Sequence, residues 1–175
     1  NALVQQFFNR EVYSMRNLTM LMDYYELTMS NGYFEKGFKD KMVVFDMFYR
    51  KNPDNGGFVV SAGLEQLIEY IENMHFSKED IEFLRSKGEF SEGFLQYLAD
   101  FKFTGNIDAL PEGTICYPNT PIVTVTAPVI EAQLIETMLL LTMNFQSLIA
   151  TKASRICRTA AERGAVVMEF GARRA

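Results

Sequence analysis

Two cations, Arg50 and Lys51, stand directly behind the apolar run at residues 42–49 and ahead of Asn52-Pro53. Two donors at a strand exit can clamp a phosphate, the arginine as a planar fork and the lysine as a point charge. A solvated strand end is the plainer reading of the same residues. A second cationic pair, Arg173-Arg174, follows Glu169-Phe170-Gly171-Ala172. Ligand sites on barrels and α/β sheets gather at the carboxyl ends of strands, and a glycine there lets backbone approach a bound group. Anion binding and a bare strand end weigh equally at this place. The third candidate, Asp23-Tyr24-Tyr25-Glu26, sets acids beside aromatic rings, and an ordinary amphipathic helix face accounts for it more simply.

Other chemistry is thinly supplied. The one histidine, His75, gives no nucleophilic pair or triad, and it reads as a helix-terminal surface or half-buried residue. Cys116 and Cys157 lack close spacing and read as a reduced buried pair, which leaves no zinc site. Lys+Arg 17 against Asp+Glu 22 gives a formal net charge of −5, so no overall positive field exists to hold nucleic acid or an anionic membrane. The longest apolar stretches fall well short of the roughly 20 residues that span a bilayer, and residues 1–6 show no basic segment leading an apolar one. A cytoplasmic, soluble protein is expected. With 48% hydrophobic and 22% charged residues in 175, a sizeable core can form.

The elements that must carry these candidates follow from periodicity. Leu18, Leu21, Met22, Tyr25, Met29 and Tyr33 recur at helical steps and predict an amphipathic helix over residues 17–36. Residues 42–49 predict a mostly buried strand, and a turn at 53–57 leads to a short strand at 58–61 and a helix through Leu64, Leu67, Ile68 and Ile71. Ser77-Lys78-Glu79-Asp80 is a capping-box start for a helix reaching Lys87, and Ser91-Glu92 opens another to Ala99. The period then switches to two, with strands near 101–110, 114–117 and 122–127 between turns rich in glycine, asparagine and proline. Pro128 suits a helix start, and residues 128–163 predict one long helix or two with a joint near Asn144, its first half apolar nearly all round. Residues 165–170 predict a buried strand whose parallel partner is not supplied, so a longer protein cut or split near Ala175 is expected. Asn1-Ala2 read as a tag remnant.

In these segments the chain resembles the nicotinate phosphoribosyltransferase family. Asp23, Tyr25, Leu27, Thr28 and Met29 are similar to its D-x-Y-x-L-T-M start. Further segments follow in the family's order: Phe45-Asp46-Met47-Phe48-Tyr49-Arg50-Lys51-Asn52-Pro53, Ala62-Gly63-Leu64, Leu110-Pro111-Glu112-Gly113-Thr114, the runs at 131–137 and 144–153, and Glu169-Phe170-Gly171-Ala172-Arg173-Arg174-Ala175. Each block alone is moderately specific, and the ordered set is strongly so.

The resemblance implies an enzyme joining nicotinate to 5-phosphoribosyl 1-diphosphate, giving nicotinate mononucleotide and diphosphate in NAD salvage. It further implies coupled ATP hydrolysis, the basis of a ligase-type classification, and Mg²⁺ on the diphosphate. The architecture implied is an α+β N-terminal domain at 17–127, preceded by an extension at 1–16. Residues 128–175 then begin an α/β barrel with its first helix and strand. Active sites shared across a homodimer are implied as well. By the same resemblance Arg173 meets the nicotinate carboxylate or a nearby phosphate, with Gly171 and Arg174 beside it. Tyr25 reaches a neighbouring subunit's site to stack on the pyridine ring, and Arg50 and Lys51 approach the phosphoribosyl group. The family's phosphorylated histidine falls after Ala175, so no catalytic residue is expected within this chain, and His75 does not take that place. Asp23, Lys152 and Arg155 are expected to serve structure or an interface. Two alternatives stay open: a nicotinamide or quinolinate phosphoribosyltransferase, and a non-catalytic interaction domain.

Overall fold

The computed structural model describes residues 17–171. Helix α1 (Tyr24–Glu35) is followed by strand β1 (Met42–Met47), a short 3-10 turn (Pro53–Asn55) and β2 (Val59–Val60). Three helices come next, α2 (Leu64–Asn73), α3 (Lys78–Lys87) and α4 (Glu92–Ala99), then strands β3 (Asn106–Ala109), β4 (Ile115–Cys116) and β5 (Val123–Pro128). The helices α5 (Val129–Leu134) and α6 (Glu136–Glu162) complete the order. Helix and sheet are thus mixed, as expected of an α+β chain.

Strand β5 is central in a three-stranded antiparallel sheet of order β1-β5-β3, with Phe45 and Ile107 both opposite Val125. Its alternation is what a strand with one buried face requires: Val123, Val125 and Ala127 are buried, while Thr124 and Thr126 are less so. The Thr124 hydroxyl donates to Asp46 Oδ1 at 2.6 Å, which explains the one acidic residue in β1. Strands β2 and β4 form a separate antiparallel pair. The capping box predicted at Ser77 is present, Ser77 Oγ accepting the Asp80 N–H at 3.1 Å while Asp80 Oδ2 accepts the Ser77 N–H at 2.8 Å. Leu67, Leu84, Phe94, Leu95 and Leu98 form the buried interior of the helical side, where Phe34 meets Phe94 and Tyr97 with ring centroids 5.9 and 5.8 Å apart.

Several expectations are corrected. The first helix starts at Tyr24, not Asn17, because Asn17 Oδ1 accepts the Thr19 N–H and the Leu21 N–H bonds Leu18 O, which together turn the chain before the helix. Its buried face carries Glu26, Leu27 and Ser30, whereas Tyr25 and Met29 of the expected stripe lie exposed. Strand β1 stops at Met47, and Met42, Val44 and Phe45 are exposed although a buried strand is predicted. The joint between the last two helices falls at Ile135 and not near Asn144, and the preceding six residues are all buried as the apolar pattern demands. Cys116 is buried but Cys157 is exposed on α6, so the two do not form a buried pair. Residues 165–170 form no strand: Val166 is 87% and Phe170 95% exposed, since a lone extended segment has no ladder to join among the described residues.

Candidate functional site

The loop behind β1 is fixed from several sides. Tyr49 is buried, its hydroxyl donating to Met143 O at 3.4 Å and its carbonyl accepting the Asn119 N–H at 2.7 Å. Asn52 Nδ2 donates to Gly56 O at 2.9 Å, and Asp54 and Asn55 adopt left-handed backbone with φ of 55° and 53°. Arg155 reaches this turn from α6, lying 3.6 Å from Asp54 and donating to Pro53 O at 3.4 Å. It is one of the residues expected to serve structure or an interface, and within the chain its contacts brace this turn. Arg50 and Lys51 are both exposed on this braced loop.

Arg50 lines a cleft of about 590 Å³. One wall is Val44, Phe45, Asp46, Met47 and Phe48 of β1 and its exit. The other is the α5–α6 joint, with Gln133, Glu136, Leu139 and Leu140. Lys51 is not part of the lining. Within the second wall Gln133 Nε2 donates to Glu136 Oε2 at 2.7 Å, which holds that carboxylate at the cleft. Tyr25, 44% exposed in the first turn of α1, lies on a turn bonded to Thr137, the residue after Glu136 of that wall. Burial first, then the hydrogen-bonding Glu136 carboxylate and the charges of Glu26 and Asp23, push its phenol up to about 12, so it is a neutral hydroxyl at physiological pH.

The turn carrying Tyr25 is bonded to α6 on both sides of the tyrosine. Asp23 N–H donates to Thr137 Oγ1 at 3.0 Å. Glu26 Oε1 accepts the Thr137 N–H at 3.0 Å and its hydroxyl at 2.5 Å. Glu26 is fully buried, and its other oxygen has no hydrogen-bond partner. Burial raises its carboxyl to about 7 against the opposing pull of both Thr137 bonds, with Glu136 and Asp23 adding repulsion. Sequence reasoning names Glu26 only within the Asp23–Glu26 run, read as an ordinary helix face, and misses its burial and the part that Gln133, Glu136 and Thr137 take in this surrounding. A carboxylate at the helical position between Met22 and Ser30 is the one available signal.

The remaining expected residues are not brought here. Gly171 is the last described residue, and its N–H donates to the Glu169 carboxylate in the exposed segment after α6. Arg173 and Arg174 lie outside the described residues, as do Asn1-Ala2 and the extension at 1–16. His75 is exposed, its Nδ1 2.7 Å from Asn73 O, far from any nucleophile arrangement. Among the described residues no group of three or more His, Cys, Asp or Glu is placed to hold a metal ion, and no helix is long and apolar enough to cross a membrane.

The other segments that resemble the family interlock as scaffold. Glu112 Oε1 accepts the Gly63 and Leu64 N–H groups at 2.6 and 2.7 Å, capping α2 in place of a side chain at Gly63 itself. Thr151 Oγ1 on α6 accepts the Val60 N–H of β2 at 2.9 Å. Glu131 holds Thr104, accepting its N–H at 2.5 Å and its hydroxyl at 3.0 Å.

Comparison with known proteins matches residues 20–144 to the nicotinate phosphoribosyltransferase (NAPRTase) N-terminal domain family. The chain is 43% identical over 156 residues to nicotinate phosphoribosyltransferase pncB2 of Mycobacterium tuberculosis, covering 89% of this chain and 33% of that protein. It is 42% identical over 159 residues to the nicotinate phosphoribosyltransferase of Bacillus subtilis, covering 91% and 32%. Its fold is similar to the crystal structure of human nicotinic acid phosphoribosyltransferase, with a TM-score of 0.75 and 31% identity over 79% of this chain and 28% of that one. The chain spans about a third of the length of the curated relatives it matches.

Proposed function

From the premise that the chain belongs to the nicotinate phosphoribosyltransferase family, we propose that its protein joins nicotinate to 5-phosphoribosyl 1-diphosphate, forming nicotinate mononucleotide and diphosphate for NAD salvage. The observation that carries this is the 43% identity over 89% of the chain to a relative of that name. Nicotinamide and quinolinate as substrates, and a silent interaction domain, have no comparable support.

In this proposal the chain's own residues bind and orient. Arg50 brings a fixed positive charge to the cleft for the phosphoribosyl group, with Lys51 beside it on the same braced loop. Tyr25 presents a neutral aromatic face for the electron-poor pyridine ring of a neighbouring subunit's site in a homodimer. Its 44% exposure leaves that face open. Arg173, with Gly171 and Arg174, receives the nicotinate carboxylate or a nearby phosphate, a planar fork suiting a planar anion. Mg²⁺ accompanies the diphosphate and ATP is a cosubstrate. Residues 128–175 are the start of an α/β barrel, and the enzyme works in the cytoplasm.

The experiment is direct. Incubate the full-length gene product with nicotinate, 5-phosphoribosyl 1-diphosphate, ATP and Mg²⁺, and follow nicotinate mononucleotide by mass. Product is expected from the full-length protein and none above background from the 175-residue chain alone. A full-length protein without product contradicts the proposal.

A further inference from the structure

Helix α6 is 27 residues long and begins without a cap of its own: Ile135 stands at its N-cap and offers no side-chain acceptor. The first N–H groups of a helix need acceptors from elsewhere. Here one comes from α1, where Glu26 Oε1 accepts the Thr137 N–H at 3.0 Å. The Thr137 hydroxyl then works in both directions, donating to that same oxygen at 2.5 Å and accepting the Asp23 N–H at 3.0 Å. Asp23 and Glu26 bracket Tyr25 within a single helical turn. The residue before Thr137 is Glu136, which lines the Arg50 cleft and is held by Gln133 at 2.7 Å.

We propose that Thr137 is a positioning residue for Tyr25, its hydroxyl clasping the Tyr25 turn of α1 to the start of α6 and so setting the direction in which the ring is presented to the neighbouring subunit's site. The inference rests on the binding role given to Tyr25 above. A hydroxyl is required because the position must donate and accept at once, which serine can do and valine cannot. Valine keeps the shape and the backbone N–H, but it leaves the Asp23 N–H without its acceptor and Glu26 with one donor fewer.

The test uses the full-length enzyme. Thr137→Val is expected to raise KM for nicotinate roughly tenfold, the equivalent of about one lost hydrogen bond, with KM for 5-phosphoribosyl 1-diphosphate and kcat nearly unchanged. Thr137→Ser is expected to behave as the parent. In a Tyr25→Ala background Thr137→Val should add nothing, since both changes act through one residue. Should Thr137→Val fail to fold, Asp23→Pro removes the hydroxyl's other partner at a backbone φ of −69° that suits proline, and the same nicotinate-selective rise is expected. Amide hydrogen exchange across residues 23–30 should quicken in Thr137→Val and stay at parent values in Thr137→Ser. A KM rise that persists in the Tyr25→Ala background, or a rise in both KM values together with lower kcat and lower Tm, would overturn the positioning role. Unchanged exchange across 23–30 would overturn it independently. If Tyr25→Ala itself leaves nicotinate kinetics unaltered, the binding role of Tyr25 has failed, and exchange alone then decides whether Thr137 holds that turn.

Discussion

The Ser147 hydroxyl accepts the Ala62 N–H at 3.0 Å and donates to the Ala62 carbonyl at 3.1 Å, so one side chain of α6 satisfies both backbone groups of a residue 85 positions away. Ser147 is fully buried, and water cannot replace it there. Ser147→Ala should cost about 1–3 kcal/mol, the penalty for leaving buried backbone groups unpaired. Urea unfolding of the full-length protein reads this directly, and a loss under about 0.5 kcal/mol would show that the pair is dispensable.

The neighbouring glycine gives a sharper contrast. Gly63 holds a φ of +105°, and a Cβ there would stand 2.7 Å from Thr142 O on α6. Gly63→Ala should therefore destabilise by at least about 2 kcal/mol, combining a left-handed backbone with a close approach that backbone cannot yield to. Gly32 lies within α1 with nothing within 4 Å of its would-be Cβ. Gly32→Ala should stabilise by about 0.5–1 kcal/mol through helix propensity. Thermal melts of the two variants should shift in opposite directions.

Glu26 predicts a pH dependence with a definite sign. Its carboxyl is raised from the ordinary 4.5 to about 7. Below about pH 4.5 folded and unfolded chains both carry the proton, and the group is neutral to stability. Between about 4.5 and 7 the unfolded chain ionises first, so stability falls as pH rises, levelling above about 7. At about 1.4 kcal/mol per pH unit the span is on the order of 3 kcal/mol. Glu26→Gln removes this slope, and its stability relative to the parent should improve between pH 5 and 7.5. A difference that stays constant with pH would show that Glu26 is ionised throughout.

These effects also mark what the sequence makes legible. The Ser77 and Ser91 caps are readable because the acceptor and the N–H it serves lie three residues apart. Strand β5 is readable because one face is buried, and its period of two survives intact. The start of α1 is not readable, since the helical stripe continues back through Leu18 while an asparagine side chain turns the chain. The burial of Glu26 is decided by Thr137, 111 residues on, and no local pattern carries that distance. The candidate site divides in the same way. The cations behind β1 stand out in the sequence, whereas the opposite wall of their cleft is set by tertiary packing of the α5–α6 joint.

Arg173 offers a kinetic prediction in the full-length enzyme. If it pairs with a carboxylate away from water, Arg173→Ala should cost roughly 2–5 kcal/mol of transition-state binding. Arg173→Lys should recover only part, since an ammonium cannot reproduce a two-pronged contact. A stable Arg173→Ala enzyme with near-parent kcat/KM would remove this residue from the substrate site.

The ratio of kcat/KM for nicotinate to that for nicotinamide in the full-length protein tests most directly the proposed choice of the carboxylate pyridine. If Arg173 receives the carboxylate as proposed, nicotinate should be favoured by at least about two orders of magnitude, because the neutral amide would leave that arginine unpaired. A ratio near one, or a preference for nicotinamide, would contradict it.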